Sequence, residues 1–313
     1  AEAMELLAEF TTDEEAPPGI VRRAIEVMDQ AGWSKAVDRV FDEAIHVPEA
    51  VPLVGRFWVE RRLLRGDHTA AERLDDLLGR GEIGTEALLA YLEALGQRQD
   101  AVRLLPFVQR YADVLRGDTS AWGKAGWALA RVNRFDELVR WMHDWKSRDD
   151  AESWMLINLA IALRSLGRDR EAADVSRHAR EHARKDPTLM FHSVWLAFDE
   201  AIAGRTAQAA RMSGQHELDK DQLDAYFRMI HAMTKAIIQV QQGGRAAFLD
   251  ACRQLEQAAQ ANRDLDPDPA IHRAWKQCVR RIARDAFSIK AWLWKMRVLK
   301  HPPLPPFRPS QGS

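Results

Sequence analysis

Residues 159–172 have the sequence LAIALRSLGRDREA, which carries two short apolar patterns separated by one glycine. Leu159 and Leu163 belong to a series spaced by three and four residues, which places apolar side chains on one face of an α-helix. Gly167 interrupts the series, and glycine readily adopts the left-handed conformation that ends a helix. A second apolar series begins at Ala172. The stretch therefore predicts two antiparallel helices joined by a tight turn.

The same turn recurs along most of the chain. A glycine or asparagine, followed by polar residues and then a small or apolar residue, occurs at Gly32, Gly66, Gly96, Asn133, Gly167, Gly204 and Gly243. Successive turns are 30 to 39 residues apart, with a mean of about 35, which is the period expected of stacked helix–turn–helix units. Runs that alternate apolar and polar residues with period two are absent. The sequence therefore predicts an all-α fold.

Two of these hairpins resemble the tetratricopeptide repeat. Between Trp122 and Leu138 the chain has the tryptophan of that repeat, a small residue four positions later and a large apolar residue. Asn133 stands where the repeat has its turn glycine, and Leu138 stands where it has alanine. Residues 159–172 match the repeat more closely, with both Gly167 and the alanine that opens the second helix.

The resemblance implies an α-solenoid of antiparallel helix pairs that forms a right-handed superhelix. Repeats are expected over residues 17–261, after a lead-in helix at residues 1–16. Basic amphipathic helices are expected at residues 266–300, followed by a proline-rich tail at residues 301–313. Residues 291–297 also resemble the tryptophan-bearing repeats of protein prenyltransferase α subunits, so a related helical repeat remains an alternative.

Tetratricopeptide arrays present the first helix of each hairpin on a concave surface that binds a peptide or a helix of a partner. The positions that the resemblance implies for this groove are Trp127, Arg131, Trp154, Ile157, Ile161, Arg164, Phe191 and Phe198. The corresponding N-terminal positions are Arg56, Glu60, Glu86 and Glu93. Aromatic side chains with two arginines suit a partner segment that has apolar anchors and carboxylates. The alternative is that these aromatic side chains pack between helices.

A second candidate surface is basic. Residues 271–300 contain nine lysines and arginines and one acidic residue, a local charge of +8, which leaves −9 for the rest of a chain whose net charge is −1. Asp268 followed by Pro269 predicts a helix start. The basic stripe of that helix comprises Arg273, Lys276, Arg280 and Arg284, and the opposite apolar stripe comprises Trp275, Val279, Ile282 and Ala286. An acidic protein surface is the expected partner; anionic lipid, nucleic acid or a merely solvated face are the alternatives.

Composition restricts the remaining classes. With 46% hydrophobic and 29% charged residues, the chain can bury a core, which excludes a wholly disordered protein. No apolar run is long enough to span a bilayer. Cys252 and Cys278 have no disulfide or metal-ligand spacing, which favours a reducing compartment and a cytoplasmic location. The first residue is Ala1 rather than Met, from which we expect a segment of a longer protein.

Three motifs are weak candidates for chemistry. His178, Glu181 and His182 form an HxxEH pattern typical of zinc peptidases, but the expected helix faces solvent and no third ligand is evident. Residues 79–84 match GxGxxG without the preceding strand that a dinucleotide site requires. Residues 303–308 match a PxxPxR ligand, although a disordered tail is the more usual structure of such a segment.

We therefore expect no catalytic site, metal or cofactor, and a scaffold that binds another protein in its concave groove. One alternative is a regulatory or recruitment domain of a larger enzyme whose catalytic domain lies upstream. Another is an electrostatic adaptor that binds an anionic surface through the basic C-terminal segment.

Overall fold

The computed structural model describes residues 18–47, 51–64, 85–182, 187–217, 223–262 and 268–306, together with isolated positions between 67 and 80. Over these residues the chain is all-helical, with fifteen α-helices and no strand. The all-α prediction is thereby confirmed. The chain divides into two compact units, with the boundary between Val132 and Asn133.

The first unit contains seven described helices. They are α1 (Pro18–Gln30), α2 (Ser34–Ala44), α3 (Val51–Leu64), α4 (Thr85–Gln97), α5 (Ala101–Arg110), α6 (Ala112–Gly117) and α7 (Thr119–Arg131). The side chain of Asp100 accepts a hydrogen bond from a backbone amide and caps the start of α5, and Asp118 does the same for α7. Helix α4 packs against both α3 and α7. Trp122, the tryptophan of the resemblance, is fully buried in this unit.

The second unit contains the other eight helices. They are α8 (Phe135–Trp141), α9 (Ser153–Ser165), α10 (Asp169–His182), α11 (Leu189–Ala203), α12 (Thr206–Glu217), α13 (Ala225–Ala261), α14 (Pro269–Ala286) and α15 (Ile289–Lys300). Helices α9 and α10 form a hairpin, as do α11 and α12. Helix α13 is broken at Gly244, whose φ of 56° and ψ of −136° are not helical. This kink divides α13 into two helical halves.

Most predicted turns lie where the sequence places them. The backbone is left-handed at Gly32, Asn133, Gly167 and Gly204, with φ between 59° and 86°. Two turns are displaced from the predicted residue, because the positive φ occurs at Gln99 rather than Gly96 and at Gly244 rather than Gly243. The predicted turn at Gly66 lies outside the described residues.

The glycine at position 96 has a packing role instead of a turn role, since it lies inside α4. A Cβ atom at this position would be 2.7 Å from the indole ring of Trp127 and 3.3 Å from the backbone of Ala128. The absence of a side chain thus lets α7 approach α4 closely. The sequence pattern identified the residue correctly but assigned it the wrong role.

The turn at Gly167 gives a stability prediction. We expect Gly167→Ala to lower the free energy of unfolding by about 1–2 kcal/mol, because φ is +79° and the new Cβ would be 2.7 Å from the guanidinium group of Arg273. Gly214→Ala is the matched control, since Gly214 lies within α12 with nothing within 4 Å of its added Cβ. In that variant the helix preference of alanine should raise the free energy of unfolding by up to about 1 kcal/mol. Urea unfolding of both variants checks the opposite signs, and two equal shifts would contradict the prediction.

The basic C-terminal helices share the core of the second unit. Trp275, Cys278 and Ile282 of α14 and Trp294 of α15 are buried together with residues from α9, α11 and α13. The predicted helix start is confirmed, since the Asp268 side chain accepts a hydrogen bond from the amide of Ile271 and Pro269 occupies the first turn. The predicted apolar stripe of α14 is also confirmed, because Trp275, Val279, Ile282 and Ala286 are all buried.

Part of the expected disordered tail is packed against the second unit. Leu304 is 5% exposed and belongs to the same hydrophobic cluster, and the backbone of Pro305 is hydrogen-bonded to His272. The expectation of disorder is therefore wrong for residues 301–306. Arg308, which the PxxPxR motif requires, lies outside the described residues. None of the described helices combines the length and the apolar character needed to cross a membrane.

Candidate binding surfaces

Arg164, predicted to line a groove, is an interior residue of the second unit. Its side chain is 3% exposed, and its guanidinium group donates two hydrogen bonds of 2.9 and 2.7 Å to the carboxylate of Asp199 on α11. The same group lies 4.2 Å from the ring centroid of Trp195. This bidentate pair holds α9 against α11, and in this structure it presents no charge to a partner.

Other members of the predicted groove also contact residues of this chain. Phe198 is 1% exposed and packs edge-on against Trp195, and Ile157 is 6% exposed in the same cluster. Phe191 stacks on Phe227 of α13, with ring centroids 4.0 Å apart. Ile161 is partly buried against this core. The alternative interpretation, that these side chains pack between helices, therefore describes Ile157, Phe191 and Phe198 better than a groove does.

Trp127 remains accessible. It lies on the surface of α7, half-buried, and the ammonium group of Lys124 is 4.7 Å from the centroid of its ring. Lys124 also forms a salt bridge of 3.2 Å with Glu93 on α4. Arg131 is exposed one turn further along α7. Glu93, Lys124, Trp127 and Arg131 thus form one surface of the first unit, here called the Trp127 surface.

Trp154 is the second accessible aromatic residue of the predicted set. It is half-buried near the start of α9, and its indole N–H donates a hydrogen bond of 2.9 Å to Glu152. The N-terminal groove positions are described only in part. The structure describes the side chain of Glu93, whereas those of Arg56, Glu60 and Glu86 lie outside the described side chains.

The predicted basic stripe of α14 is exposed and partly neutralised. Arg273 is 3.6 Å from the carboxylate of Asp169, and Arg284 is 3.3 Å from that of Asp285. Lys276 and Arg280 are exposed, and the part of the chain that the structure describes contains no ion-pair partner for either. Arg281 differs from these residues, since it donates to the carbonyl of Ile202 at 2.6 Å. The stripe is therefore a solvated face with two available cations.

An apolar surface on α15 was not predicted from the sequence. Its exposed side chains are Phe287 (78%), Ile289 (79%), Trp292 (55%), Leu293 (56%) and Met296 (52%). We call this set the α15 outer face. Of the two tryptophans of α15 only Trp294 is buried, and its indole N–H donates a hydrogen bond of 3.0 Å to Glu256. The spacing of residues 289, 292, 293 and 296 was the available signal, because they share one side of a helix.

The HxxEH motif lies beside a cleft of about 320 Å³ in the second unit, which Trp145, Lys146 and Arg168 help to line. The rings of His178 and His182 stack with centroids 4.5 Å apart, and Trp145 packs edge-on against His178. Among the described residues no group of three or more histidine, cysteine or acidic side chains could hold a metal ion. The geometry thus offers two stacked imidazoles without further ligands.

His178 makes stability depend on pH. Burial and the nearby His182 lower its pKa below 6.5, although Glu181 opposes the shift. The folded protein therefore takes up this proton less readily than the unfolded chain does. We expect the free energy of unfolding to fall as the pH drops below about 6.5, and to level off below the folded pKa. Urea unfolding over a pH series should show a smaller fall in His178→Gln, and an identical fall would contradict this assignment.

Neither a protein-family model nor a curated protein sequence matches the chain. The resemblance to the tetratricopeptide repeat therefore depends on the residues and turns described above.

Proposed function

We propose that this chain is a non-enzymatic scaffold of tetratricopeptide-like hairpins that binds a peptide or a helix of another protein. The observation that carries the proposal is the Trp127 surface. A partly exposed indole that packs against the backbone at Gly96 is suited to serve as an apolar anchor. Arg131, exposed one turn further along α7, favours a partner segment that combines an apolar side chain with a carboxylate.

The groove of this proposal is smaller than the resemblance implies. Trp127 and Arg131 are accessible candidates in the first unit, and Trp154 is a separate candidate in the second. Ile157, Arg164 and Phe198 serve the core of the second unit. A cytoplasmic location belongs to the same proposal, and it is supported by two cysteines that are buried as free thiols. The right-handed superhelix also remains part of the proposal.

The test is a pull-down with quantitative mass spectrometry on the whole chain. We expect Trp127→Ala to reduce recovery of the specific partner at least about tenfold, as the loss of a central aromatic anchor does. Trp33→Ala is the matched control, because Trp33 is also an accessible tryptophan of the first unit, 47% exposed. Circular dichroism verifies that both variants are folded.

Raised salt separates the two kinds of contact. Capture through an aromatic anchor should persist at raised salt, whereas capture through exposed lysines and arginines should decrease. Equal recovery by wild type, Trp127→Ala and Trp33→Ala would exclude the Trp127 surface as the binding site.

A further inference from the structure

Helix α15 is apolar on two opposite sides, of which one packs on the core of the second unit and the other is exposed. Ala291, Trp294 and Val298 are buried in the core of the second unit. The α15 outer face lies on the other side, with every member more than half exposed. Single exposed apolar residues are common on protein surfaces, but a contiguous set of large ones marks a binding surface.

Cations border the apolar set. Helix α15 contains Lys290, Lys295, Arg297 and Lys300 and no acidic residue. With 100° between successive residues, Lys290 and Arg297 lie on one side of the apolar stripe, and Lys295 lies on the other. Arg297 donates a hydrogen bond of 2.6 Å to Glu256 and is still 65% exposed. The preceding helix α14 also carries two exposed cations, Arg280 and Arg284.

We propose that the α15 outer face binds the surface of an anionic lipid bilayer. In such a complex the aromatic and aliphatic side chains enter the boundary between headgroups and acyl chains, while the lysines contact anionic headgroups. This role requires no membrane-spanning helix. It goes beyond the proposed protein scaffold, because it uses different residues in a different unit of the chain.

The geometry favours a bilayer over a groove on another protein. The inner side of α15 is fixed to its own core by Ala291, Trp294 and Val298, so only the outer side is open to a partner. The apolar set also includes Phe287, which precedes the helix in a turn with φ of 40°. A bilayer surface needs access from one side only and accommodates a turn and a helix together.

The distribution of charge also favours an anionic bilayer over a second copy of the chain. Two copies of α15 face to face would oppose eight basic side chains without one acidic partner on either helix, which disfavours a self-interface. Residues 271–300 carry +8 and the rest of the chain −9, so an anionic surface attracts this segment and repels the rest. Because salt at physiological concentration screens charges over about 8 Å, the charges nearest the bilayer determine the attraction.

The experiment measures sedimentation of the full chain with two kinds of vesicle. One kind is pure phosphatidylcholine, and the other contains about 30% phosphatidylserine, which imitates an anionic leaflet. We expect binding to the anionic vesicles, weak or no binding to the neutral ones, and a decrease with salt. Trp292→Ser/Leu293→Ser and Lys290→Gln/Lys300→Gln should each weaken the partition at least about tenfold.

Matched controls keep the result specific. Val102→Ser removes an apolar side chain that is 67% exposed in the first unit, and Arg98→Gln/Arg170→Gln removes two exposed cations outside the surface. Both controls should bind like wild type. Three results would overturn the proposal: no binding by wild type, equal binding by wild type and the α15 variants, or a dimer that dissociates when Trp292 and Leu293 are replaced. Trp127→Ala should bind vesicles like wild type. A failure of the bilayer proposal is therefore distinguishable from a failure of the scaffold proposal.

Discussion

Replacing Asp199 with alanine is expected to lower the free energy of unfolding of the second unit by about 3 kcal/mol. The change leaves the guanidinium group of Arg164 buried, 3% exposed, without the carboxylate that accepts two of its hydrogen bonds. Breaking a buried ion pair by removing one partner costs about 3–5 kcal/mol. The lower end applies because Asp199 is itself 24% exposed, so water can replace part of its contact.

The double variant Arg164→Met/Asp199→Ala separates the pair from the packing around it. Methionine fills much of the space that the arginine stem occupies beside Trp195 and leaves no buried charge. We expect it to recover at least half of the stability lost in Asp199→Ala. Urea unfolding measures the loss, and hydrogen exchange of α9 and α11 locates it. If the double variant is as unstable as Asp199→Ala, the cost arises from lost packing rather than from an isolated charge.

The helical hairpins could be predicted because their signals are local. A turn with positive φ depends on one residue that tolerates it, and Gly32, Gly167 and Gly204 are such residues. The displaced turns show the limit of this argument. At Gly96 a glycine serves close packing against Trp127, and the left-handed residue is Gln99, which no propensity would select. A contact between helices had overridden the local pattern.

The candidate groove could be predicted only in part, because exposure depends on residues distant in sequence. Phe191 is covered by Phe227 and Arg164 by Asp199, which lie 36 and 35 positions further along the chain. Trp127 has no such aromatic cover among the described residues and stays partly exposed. A repeat pattern indicates which side of a helix is apolar, but it does not indicate whether a neighbouring hairpin covers that side.

The α15 outer face escaped prediction for a related reason. A helix with apolar residues on both sides has the sequence pattern of a fully buried helix, and this pattern does not distinguish Trp292 from Trp294. The structure distinguishes them, since Trp294 packs edge-on against Phe248 while Trp292 is 55% exposed. The lysines and arginines of α15 lie between its two apolar sides. Their positions therefore do not indicate which of the two sides is buried.

Replacing Trp275 with alanine is expected to destabilise the second unit by about 3–5 kcal/mol, the usual cost of deleting a buried tryptophan side chain. Trp275 is 1% exposed, and α14 packs against both α13 and α9, so the cavity would open where three helices meet. Arg280→Ala on the exposed side of the same helix should change the free energy of unfolding by less than about 0.5 kcal/mol. Urea unfolding of both variants makes the comparison.

A third substitution, at the same tryptophan, tests the contribution of its indole N–H. The indole N–H of Trp275 is buried without a hydrogen-bond partner among the described residues. Trp275→Phe removes this unsatisfied donor as well as some volume, so it should cost less than about 1.5 kcal/mol. If Trp275→Ala were as mild as Arg280→Ala, α14 would be a peripheral basic helix. A large loss instead means that the helix carrying the basic stripe is also a structural element of the core, and that its cations are held at fixed positions on the surface.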